Sequence, residues 1–447
     1  MPIVHNPHRN AIDRVLVAYL AALLVGTGLL MLPVATSTPG EISLLSALFT
    51  ATSAISITGL EVLTTGSDFT FFGQAVILGL IQAGGLGVLL LTTLLAMLVA
   101  GKAGLRLRES AAVEAKTSAI GGVGPMVLRI IGLTVVTEAI VAVLLFLRFF
   151  THYGEQAGNA VWEGVFNAVS AFNNAGFGLR SNSFADYAAD PFVCGPIAAA
   201  IILGGLGYPV FVEIVRRYRA PLMWSMTTRA VVVATPVLLL AGTVFIAAVE
   251  WNNPGTLGRF DWWGKLQAAA FQSTTTRTAG FSSVDISQMH PATWFGMDIL
   301  MFVGGGPAGT AGGVKITTVL VVLAMAWAEI TGGTTTNLFG ARVAHSAHRQ
   351  ATTVIVLALA LITTATTLLM LDEPQLGLDR VLFEVISGFG NVGLSTGITT
   401  GLPAMSQIVL ILVMILGRLG PVTVASGLAL RARATRYELP VERPLIG

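Results

Sequence analysis

One short pattern occurs four times along the sequence and limits the folds that the chain can adopt. In each copy a Phe opens an apolar run, a Gly follows nine or ten positions later, and a Ser or Thr lies six positions before that Gly. The runs are FTATSAISITGL (49–60), FNAVSAFNNAGF (166–177), FQSTTTRTAGF (271–281) and FEVISGFGNVGL (383–394). Their glycines are 117, 104 and 113 residues apart. A period of this length indicates four copies of a whole supersecondary unit.

The composition places these units in a membrane. The chain of 447 residues is 54% hydrophobic and 11% charged, whereas a soluble domain averages about 25% charged residues. We therefore predict a polytopic membrane protein. The single cysteine, Cys194, excludes an intrachain disulfide and argues against a cysteine metal cluster.

Eight apolar stretches reach the length of about 20 residues that a membrane span needs. They lie near residues 14–33, 70–100, 126–150, 191–215, 229–250, 292–329, 350–371 and 403–430. The Phe-to-Gly runs fall between the two members of each pair and are too short to cross, which is typical of re-entrant segments. The prediction is an all-α polytopic membrane protein with four tandem outer helix, re-entrant pore helix and inner helix repeats around a pseudo-fourfold pore.

The four pore repeats are predicted at 1–101, 102–217, 218–340 and 341–430, followed by a cytoplasmic tail at 431–447. Basic residues orient them, because lysine and arginine are enriched on the cytoplasmic side. Most of the 25 basic residues lie between repeats or at the chain ends: Arg9, Arg14, Lys102, Arg106, Arg108, Lys116, Arg129, Arg216, Arg217, Arg219, Arg229, Arg342, Arg349, Arg431, Arg433, Arg436 and Arg443. Both termini are thus predicted to be cytoplasmic, and the re-entrant loops are predicted to open to the outside.

The loop glycines are suited to a cation filter. A cation that crosses hydrocarbon must exchange its hydration shell for fixed oxygens, which rings of backbone carbonyls supply. Glycine tolerates the unusual backbone angles that aim successive carbonyls at one axis. The predicted filter residues are the three that end on each glycine: Ile57, Thr58, Gly59, Asn174, Ala175, Gly176, Thr278, Ala279, Gly280, Asn391, Val392 and Gly393. Potassium is predicted to bind at Thr58, Ala175, Ala279 and Val392.

The residue types in the loops bear on the ion. One such glycine alone would be an ordinary membrane-helix glycine, but four copies with the same upstream Phe and hydroxyl argue against that interpretation. None of the loops contains an acidic residue, whereas calcium-selective sites usually recruit a ring of carboxylates. A neutral ring favours potassium over calcium or magnesium, and it leaves the choice between potassium and sodium open.

Five motifs give the chain a resemblance to a known family. They are SITGL (56–60), SAFNNAGF (170–177), TRTAGF (276–281), GNVGL (390–394) and GRLGP (417–421). Over nearly its whole length the chain resembles the membrane subunit of bacterial Ktr potassium-uptake systems, in the Trk/Ktr superfamily of potassium transporters. The resemblance implies channel-like potassium uptake by a multi-pass protein of the bacterial cell (inner) membrane. The alternative within the superfamily is a Trk-type subunit, which has an extra helical pair before the first repeat.

The resemblance also implies partners. It implies a homodimer in membrane lipid, and a separate cytoplasmic ring of KtrA-like, nucleotide-binding regulatory subunits that docks on the basic connectors. It leaves open whether sodium is required, how ions rank, and whether the ion is conducted or coupled. No organic cofactor and no nucleic acid is expected. A phosphate-binding loop would have a Gly where Val314 precedes Lys315.

The stretch GGGPAGTAGGVKITT (304–318) interrupts the third inner segment. Six of the ten residues from 304 to 313 are glycine, and each glycine costs a helix about 1 kcal/mol and a proline about 3 kcal/mol. A continuous helix is therefore not expected. The resemblance implies a flexible intramembrane gate loop under the filter, and the alternative is a kink without a gating role. The gate residues are Gly304, Gly305, Gly306, Pro307, Ala308, Gly309, Thr310, Ala311, Gly312, Gly313, Lys315 and Arg418.

Charged residues at membrane depth are functional candidates by default. The resemblance implies that Arg418 projects under the filter near the gate loop, and the alternative is that it snorkels toward the cytoplasm. Arg277 is predicted to turn away from the pore and to pair with an acid such as Glu61 or Asp285. The role of Asp298 is left open.

Two other groups of residues are expected to support the loops. Glycines in the inner segments are predicted to let helix backbones approach closely, and Asn side chains are predicted to hold the loops by hydrogen bonds. The glycines are Gly84, Gly85, Gly204, Gly205 and Gly417, and the asparagines are Asn173, Asn174 and Asn391.

Two other classes of function compete with ion uptake. A sodium-coupled secondary transporter of a small solute usually has inverted repeats, whereas the basic connectors give all four repeats the same orientation. A membrane enzyme would need paired acids or a histidine cluster at membrane depth, and the sequence has neither. We therefore predict a transporter and not an enzyme.

Overall fold

The computed structural model describes residues 9–38, 42–102 and 123–430. Within them the first half of the chain forms α1 (Arg9–Leu30), α2 (Leu44–Ser56), α3 (Thr65–Asp68), α4 (Phe71–Lys102), α5 (Val123–Thr151), α6 (Ala157–Asn173), α7 (Pro191–Leu206) and α8 (Tyr208–Arg217). The second half forms α9 (Met226–Glu250), α10 (Trp262–Thr276), α11 (Pro291–Phe302), α12 (Ile316–Ile330), α13 (His345–Asp372), α14 (Leu378–Gly390) and α15 (Ala404–Leu430). The predicted tail at 431–447 and the connector residues Arg106, Arg108 and Lys116 lie outside the described residues.

Apart from these helices, the described chain has one small hairpin. Its strands β1 (Asn337–Leu338) and β2 (Ala341–Arg342) are antiparallel. Single turns of 3-10 helix lie at Ala185–Tyr187, Pro221–Met223, Leu257–Arg259, Ile286–Gln288 and Thr399–Gly401. The predicted all-α class is confirmed.

Long apolar helices supply the membrane spans. In the described residues four helices are long and apolar enough to cross a membrane: Phe71–Leu90, Met126–Thr151, Met226–Glu250 and His345–Asp372. The pair α7 and α8 becomes a fifth span if it is counted as one. Val17–Leu30 within α1, Ile316–Ile330, and Ala404–Gly420 within α15 are shorter apolar stretches.

Two of the inner segments are broken. The third has no helix from 303 to 315, as its glycine-rich composition predicted. The second bends by 99° at Gly207, where φ is +94°. The sequence predicted one apolar span near 191–215. A glycine in an apolar run does not by itself indicate that the helix will bend there.

Four short helices, α2, α6, α10 and α14, contain the repeated runs. Two of them have a side-chain N-cap. Ser43 accepts from the N–H of Ser46 at the start of α2, and Asp261 accepts from the N–H of Gly264 at the start of α10, both at 3.0 Å. Such N-caps satisfy backbone donors that a helix leaves free. The Phe that opens each run is buried, and burial of one such side chain stabilises a fold by about 1.5–3 kcal/mol. These residues are Phe49, Phe166, Phe271 and Phe383.

Candidate ion pathway

Each short helix ends in a turn of unusual backbone geometry. Ile57, Asn174 and Asn391 are left-handed C-caps of α2, α6 and α14. In the third copy the left-handed residue is Thr278 instead, with φ +77°, while Arg277 is not left-handed. The loop glycines follow with φ between +74° and +94°: Gly59, Gly176, Gly280 and Gly393. L-residues rarely adopt these angles, which is why glycine is needed at this step.

The four loops meet in a closed ring. A Cβ added to Gly59 would lie 2.4 Å from the carbonyl oxygen of Ala175, and one added to Gly176 would lie 2.9 Å from that of Ala279. A Cβ on Gly280 would lie 2.3 Å from the oxygen of Val392. Each loop therefore contacts the next one along the chain, too closely for any side chain at the glycine.

The fourth contact closes the ring onto the first loop. A Cβ on Gly393 would lie 2.3 Å from the carbonyl oxygen of Thr58. The four oxygens belong to the residues at which potassium binding was predicted, and all four residues are buried: Thr58, Ala175, Ala279 and Val392. Converging backbone oxygens of this kind can replace the hydration shell of a cation.

An outer cavity of about 240 Å³ opens onto the ring. Its lining includes all four loop glycines together with Glu61 and Arg180. Arg180 is engaged by acids, since its Nε donates to Glu163 Oε1 at 2.5 Å and its Nη2 donates to Glu155. Burial raises the pKa of the Glu61 carboxyl to about 7. The mouth thus contains one carboxyl that titrates near neutral pH.

The hydroxyl residue of the repeated pattern supports three of the loops. Ser53 Oγ accepts from the N–H of Gly59, and Ser387 Oγ accepts from the N–H of Gly393, both at 3.0 Å. Ser170 Oγ donates to the carbonyl of Phe177 at 2.7 Å. In the third copy Thr274 bonds only within its own helix, to Ala270 O. The hydroxyl therefore fixes loop geometry in every repeat except the third.

Asparagine side chains hold the loops from behind, as predicted. Asn391 Nδ2 donates to Thr58 Oγ1 at 2.9 Å and to Met414 O at 3.0 Å, so it joins the fourth loop to the first and to α15. One end of the Asn174 side-chain amide lies 3.0 Å from Ala171 O and 3.2 Å from Ile201 O, where an amide nitrogen can donate to both carbonyls.

A polar cluster lies behind the second loop. Asn173 Nδ2 donates to Gln82 Oε1 at 2.8 Å and to Glu138 Oε1 at 3.0 Å. These contacts join α4, α5 and α6. No role was predicted for Gln82 or Glu138, although an acid within an apolar span was a signal that could have identified Glu138.

The inner-segment glycines pack against the pore helices, as predicted for the first, second and fourth copies. A Cβ on Gly84, Gly204 or Gly417 would lie 1.9–2.1 Å from a carbonyl oxygen. The three oxygens belong to Ile55, Phe172 and Phe389. Each of those residues stands four positions before a loop glycine, so the contact is the same in all three repeats.

The segment 303–315, here called the glycine loop, packs into the bend of the second inner segment. The N–H of Gly306 donates to Gly205 O at 2.8 Å, and the N–H of Thr310 donates to Gly204 O at 3.1 Å. In return, the N–H of Tyr208 donates to Ala308 O at 3.1 Å. Because non-helical backbone at membrane depth must find partners within protein, the bend and the glycine loop satisfy each other.

The glycine loop also reaches the ends of two pore helices. Thr310 Oγ1 donates to Phe172 O at 3.2 Å, and a Cβ on Gly312 would lie 2.3 Å from Gly390 O. Phe172 and Gly390 belong to the last turns of α6 and α14. The loop therefore lies directly beneath the filter ring.

Two cationic side chains accompany the glycine loop, of which Arg418 is buried and Lys315 is partly buried. Arg418 is 4% exposed and its Nη1 donates to Thr310 O at 2.7 Å, which excludes snorkelling to a surface. Lys315 Nζ donates to Ala311 O at 2.5 Å. Within the described residues neither side chain forms an ion pair with an acid. Both positive charges therefore lie among backbone carbonyls under the ring.

The predicted ion pair of Arg277 was wrong, although its side chain is buried in protein as expected. Its Nη2 donates to Gly304 O at 3.4 Å, and it pairs with neither Glu61 nor Asp285. Those acids accept hydrogen bonds from nearby residues instead. Glu61 accepts from Thr65 Oγ1, and Asp285 accepts from the N–H and the hydroxyl of Ser287. Arg277 therefore links the third filter loop to the start of the glycine loop.

Asp298 remains without a role. It lies on α11 and is 5% exposed, and its Oδ1 has no hydrogen-bond partner among the residues that the structure covers.

Comparisons with known proteins agree with this geometry. The family model TrkH, described as a cation transport protein, matches residues 15–431. Ktr system potassium uptake protein B of Vibrio alginolyticus is 38% identical over 97% of this chain and 94% of its own length. Potassium/sodium uptake protein NtpJ of Enterococcus hirae is 32% identical over 98% and 97%. The crystal structure of the potassium transporter TrkH from Vibrio parahaemolyticus has a TM-score of 0.70 at 17% identity, covering 91% of this chain and 82% of that one, which supports the fold alone.

Proposed function

The chain belongs to the TrkH family of cation transport proteins, and from this premise we propose that it takes up potassium across the bacterial cell membrane by a channel-like route. It is a transporter and not an enzyme. In this proposal the twelve predicted loop residues form the selectivity filter. Potassium sheds its water at the ring and passes the glycine loop, driven by its gradient and the membrane potential.

The ring of carbonyl oxygens from Thr58, Ala175, Ala279 and Val392 carries the proposal. The oxygens are neutral dipoles, and in this proposal they face a common axis, where they suit a monovalent cation with a weakly held hydration shell. Two curated relatives from Vibrio alginolyticus and Bacillus subtilis are named potassium uptake proteins. The Enterococcus relative is named for potassium and sodium, so sodium is the second ion to test.

We further propose that residues 304–318 together with Arg418 form the gate. Support comes from the position of the loop beneath the ring and from its bonds to three other elements. Movement of the loop would have to break the backbone bonds at Gly204, Gly205 and Tyr208, each contributing about 0.5–1.5 kcal/mol. A gate held by a few such bonds can open without unfolding its surroundings.

The proposed assembly is a homodimer in lipid, with a KtrA-like ring on its cytoplasmic face. The basic side chains of Arg216, Arg217 and Arg219 lie at the end of α8 and in the turn after it, and such positive surfaces attract acidic partners. Both termini are proposed to be cytoplasmic. The alternatives are a Trk-type subunit and, with less support, a sodium-coupled transporter of a small solute.

One experiment tests the function directly. The full chain is reconstituted into proteoliposomes that are loaded with potassium. Uptake of labelled rubidium is then measured with external potassium, sodium or caesium as competitors. We expect uptake that potassium inhibits most strongly and that needs no organic solute. Uptake that requires an organic solute, or that potassium leaves unchanged, would contradict the proposal.

A further inference from the structure

The residue that follows the opening Phe is polar in all four repeats. The side chains are short in the first two repeats and long in the last two, and none is more than 2% exposed. Burying a polar group is unfavourable unless it is hydrogen-bonded. Four such residues at one position of a pore helix therefore point to a shared contact. They are Thr50, Asn167, Gln272 and Glu384.

The two long side chains bind the segment that follows their own filter glycine. Gln272 Oε1 accepts from the N–H of Ser283 at 3.3 Å, and Glu384 accepts from the N–H of Thr396. Ser283 and Thr396 are each three positions beyond their glycine. The shorter Thr50 Oγ1 and Asn167 Oδ1 have no hydrogen-bond partner among the described residues.

Glu384 is the one acid at the four positions. Burial raises the pKa of this carboxyl, whereas the hydroxyl of Thr399, which donates to its Oε1, favours the ionised form. Its Oε2 has no partner, and no Lys or Arg pairs with it in the parts of the chain that the structure covers. A buried carboxylate normally needs a positive partner.

The outer cavity offers that partner. Thr399 lines the cavity together with the four loop glycines, so one side chain separates the Glu384 carboxylate from the place where a cation enters the ring. In a medium of low dielectric constant, a carboxylate and a cation that are separated by one side chain attract each other more strongly than they would in water. A cation at the ring is therefore attracted by this carboxylate.

We propose that Glu384 is an affinity-determining positioning residue, which holds residues 396–399 behind the fourth filter loop and whose carboxylate becomes the negative partner of a cation at the outer mouth. The inference rests on the proposed function, since it concerns the same ring. It distinguishes the fourth repeat from the third, where Gln272 makes the matching backbone contact without a charge.

Binding measurements on purified full-length protein test this role. Potassium chloride is titrated into the wild type, Glu384→Gln and Glu384→Asp in a choline buffer, and the Kd is measured calorimetrically. If the charge acts, Gln weakens binding by at least about fivefold, roughly 1 kcal/mol, and Asp weakens it less. If only shape and hydrogen bonds act, the shorter Asp binds worse than the isosteric Gln, and that order overturns the proposal.

Two further variants make the test decisive. Asp379→Asn removes an exposed acid from the same helix, and we expect an unchanged Kd because solvent screens that charge. If Glu384→Gln does not fold, Thr399→Val removes the hydroxyl donor at constant shape and should also weaken binding. A wild-type Kd in Thr399→Val would then overturn the inference. Potassium binding without rubidium uptake would contradict the proposed function alone, and the order of the Kd values would still decide the role of Glu384.

Discussion

The third and fourth repeats build the same filter contact from different supports. In the fourth, α14 ends on left-handed Asn391, Ser387 holds the N–H of Gly393, and the inner helix α15 is continuous. In the third, Arg277 at the end of α10 is not left-handed, and the inner segment has no helix from 303 to 315. The ring of loops has approximate fourfold symmetry, whereas the inner segments beneath it differ between the repeats.

The counterpart glycines below the two loops show where the repeats diverge. A Cβ on Gly417 would lie 2.1 Å from Phe389 O, so α15 is packed onto its pore helix. A Cβ on Gly304 would lie 2.0 Å from Gly312 O, within the glycine loop itself. A filter needs equivalent oxygens from every repeat, whereas one movable segment is sufficient to close a pore. Under the proposed function, this difference places selectivity in all four repeats and gating in the third.

The largest effect is expected at the ring. Gly393→Ala places a methyl against Thr58 O at a positive φ, and we expect rubidium uptake to fall by roughly 100-fold. Gly401→Ala, where nothing lies within 4 Å of the added methyl, is the control. Uptake in Gly393→Ala equal to that of Gly401→Ala would show that this glycine is not part of the filter.

A large change of the opposite sign is expected in the third repeat. Deleting residues 306–312 removes the loop beneath the ring, and we expect rubidium flux into proteoliposomes to rise by about tenfold, as when a gate no longer blocks a pore. Thermal unfolding of the variant checks that it is folded. Unchanged or abolished flux in folded protein would assign the loop a structural role only.

Arg418 of the fourth repeat contacts the glycine loop of the third, so its removal should change the flux. Arg418→Ala removes the bond from α15 to Thr310 O and a positive charge under the filter, so we expect uptake to rise by about threefold and sodium to permeate more readily. Arg129→Ala, which removes a basic residue that lies outside this site, is the control. Uptake kinetics identical to those of the wild type would show that Arg418 is not part of the gate.

Stability should separate the two counterpart glycines. Gly417→Ala forces α15 away from α14, and we expect the free energy of unfolding to fall by about 1–3 kcal/mol. Gly304→Ala strains only the glycine loop, so we expect changed flux with a smaller loss of stability. Thermal melting of both variants in detergent measures this, and equal losses would contradict the division between the repeats.

The smallest expected effect is a pH dependence at the outer mouth. Since burial raises the pKa of Glu61 to about 7, its carboxyl is neutral at lower external pH and negative at higher pH. We expect the apparent affinity for rubidium to improve by about twofold between pH 6 and pH 8, because the charge attracts cations. Glu61→Gln should abolish this change, and a persistent dependence in that variant would assign it to another group.

Much of the site followed from the sequence because it depends on local chemistry. The glycines with positive φ and the break at the glycine loop are determined by the conformations that single residues tolerate. Arg277 was misassigned because a sequence places charges along the chain and does not give the direction of a side chain. The Gly207 bend was missed because the glycine loop that fills it lies about a hundred residues away.

The sequence by itself determined that the chain is a membrane protein with four like units, each ending on a glycine whose backbone no other residue adopts easily. Only the tertiary structure decided that these units meet as a closed ring, that the glycine loop fits the bend at Gly207, and that Arg418 bonds to Thr310. The physical reason is that composition and backbone preference act over a few residues. Contacts between carbonyls and side chains of distant segments exist only once the segments are packed together.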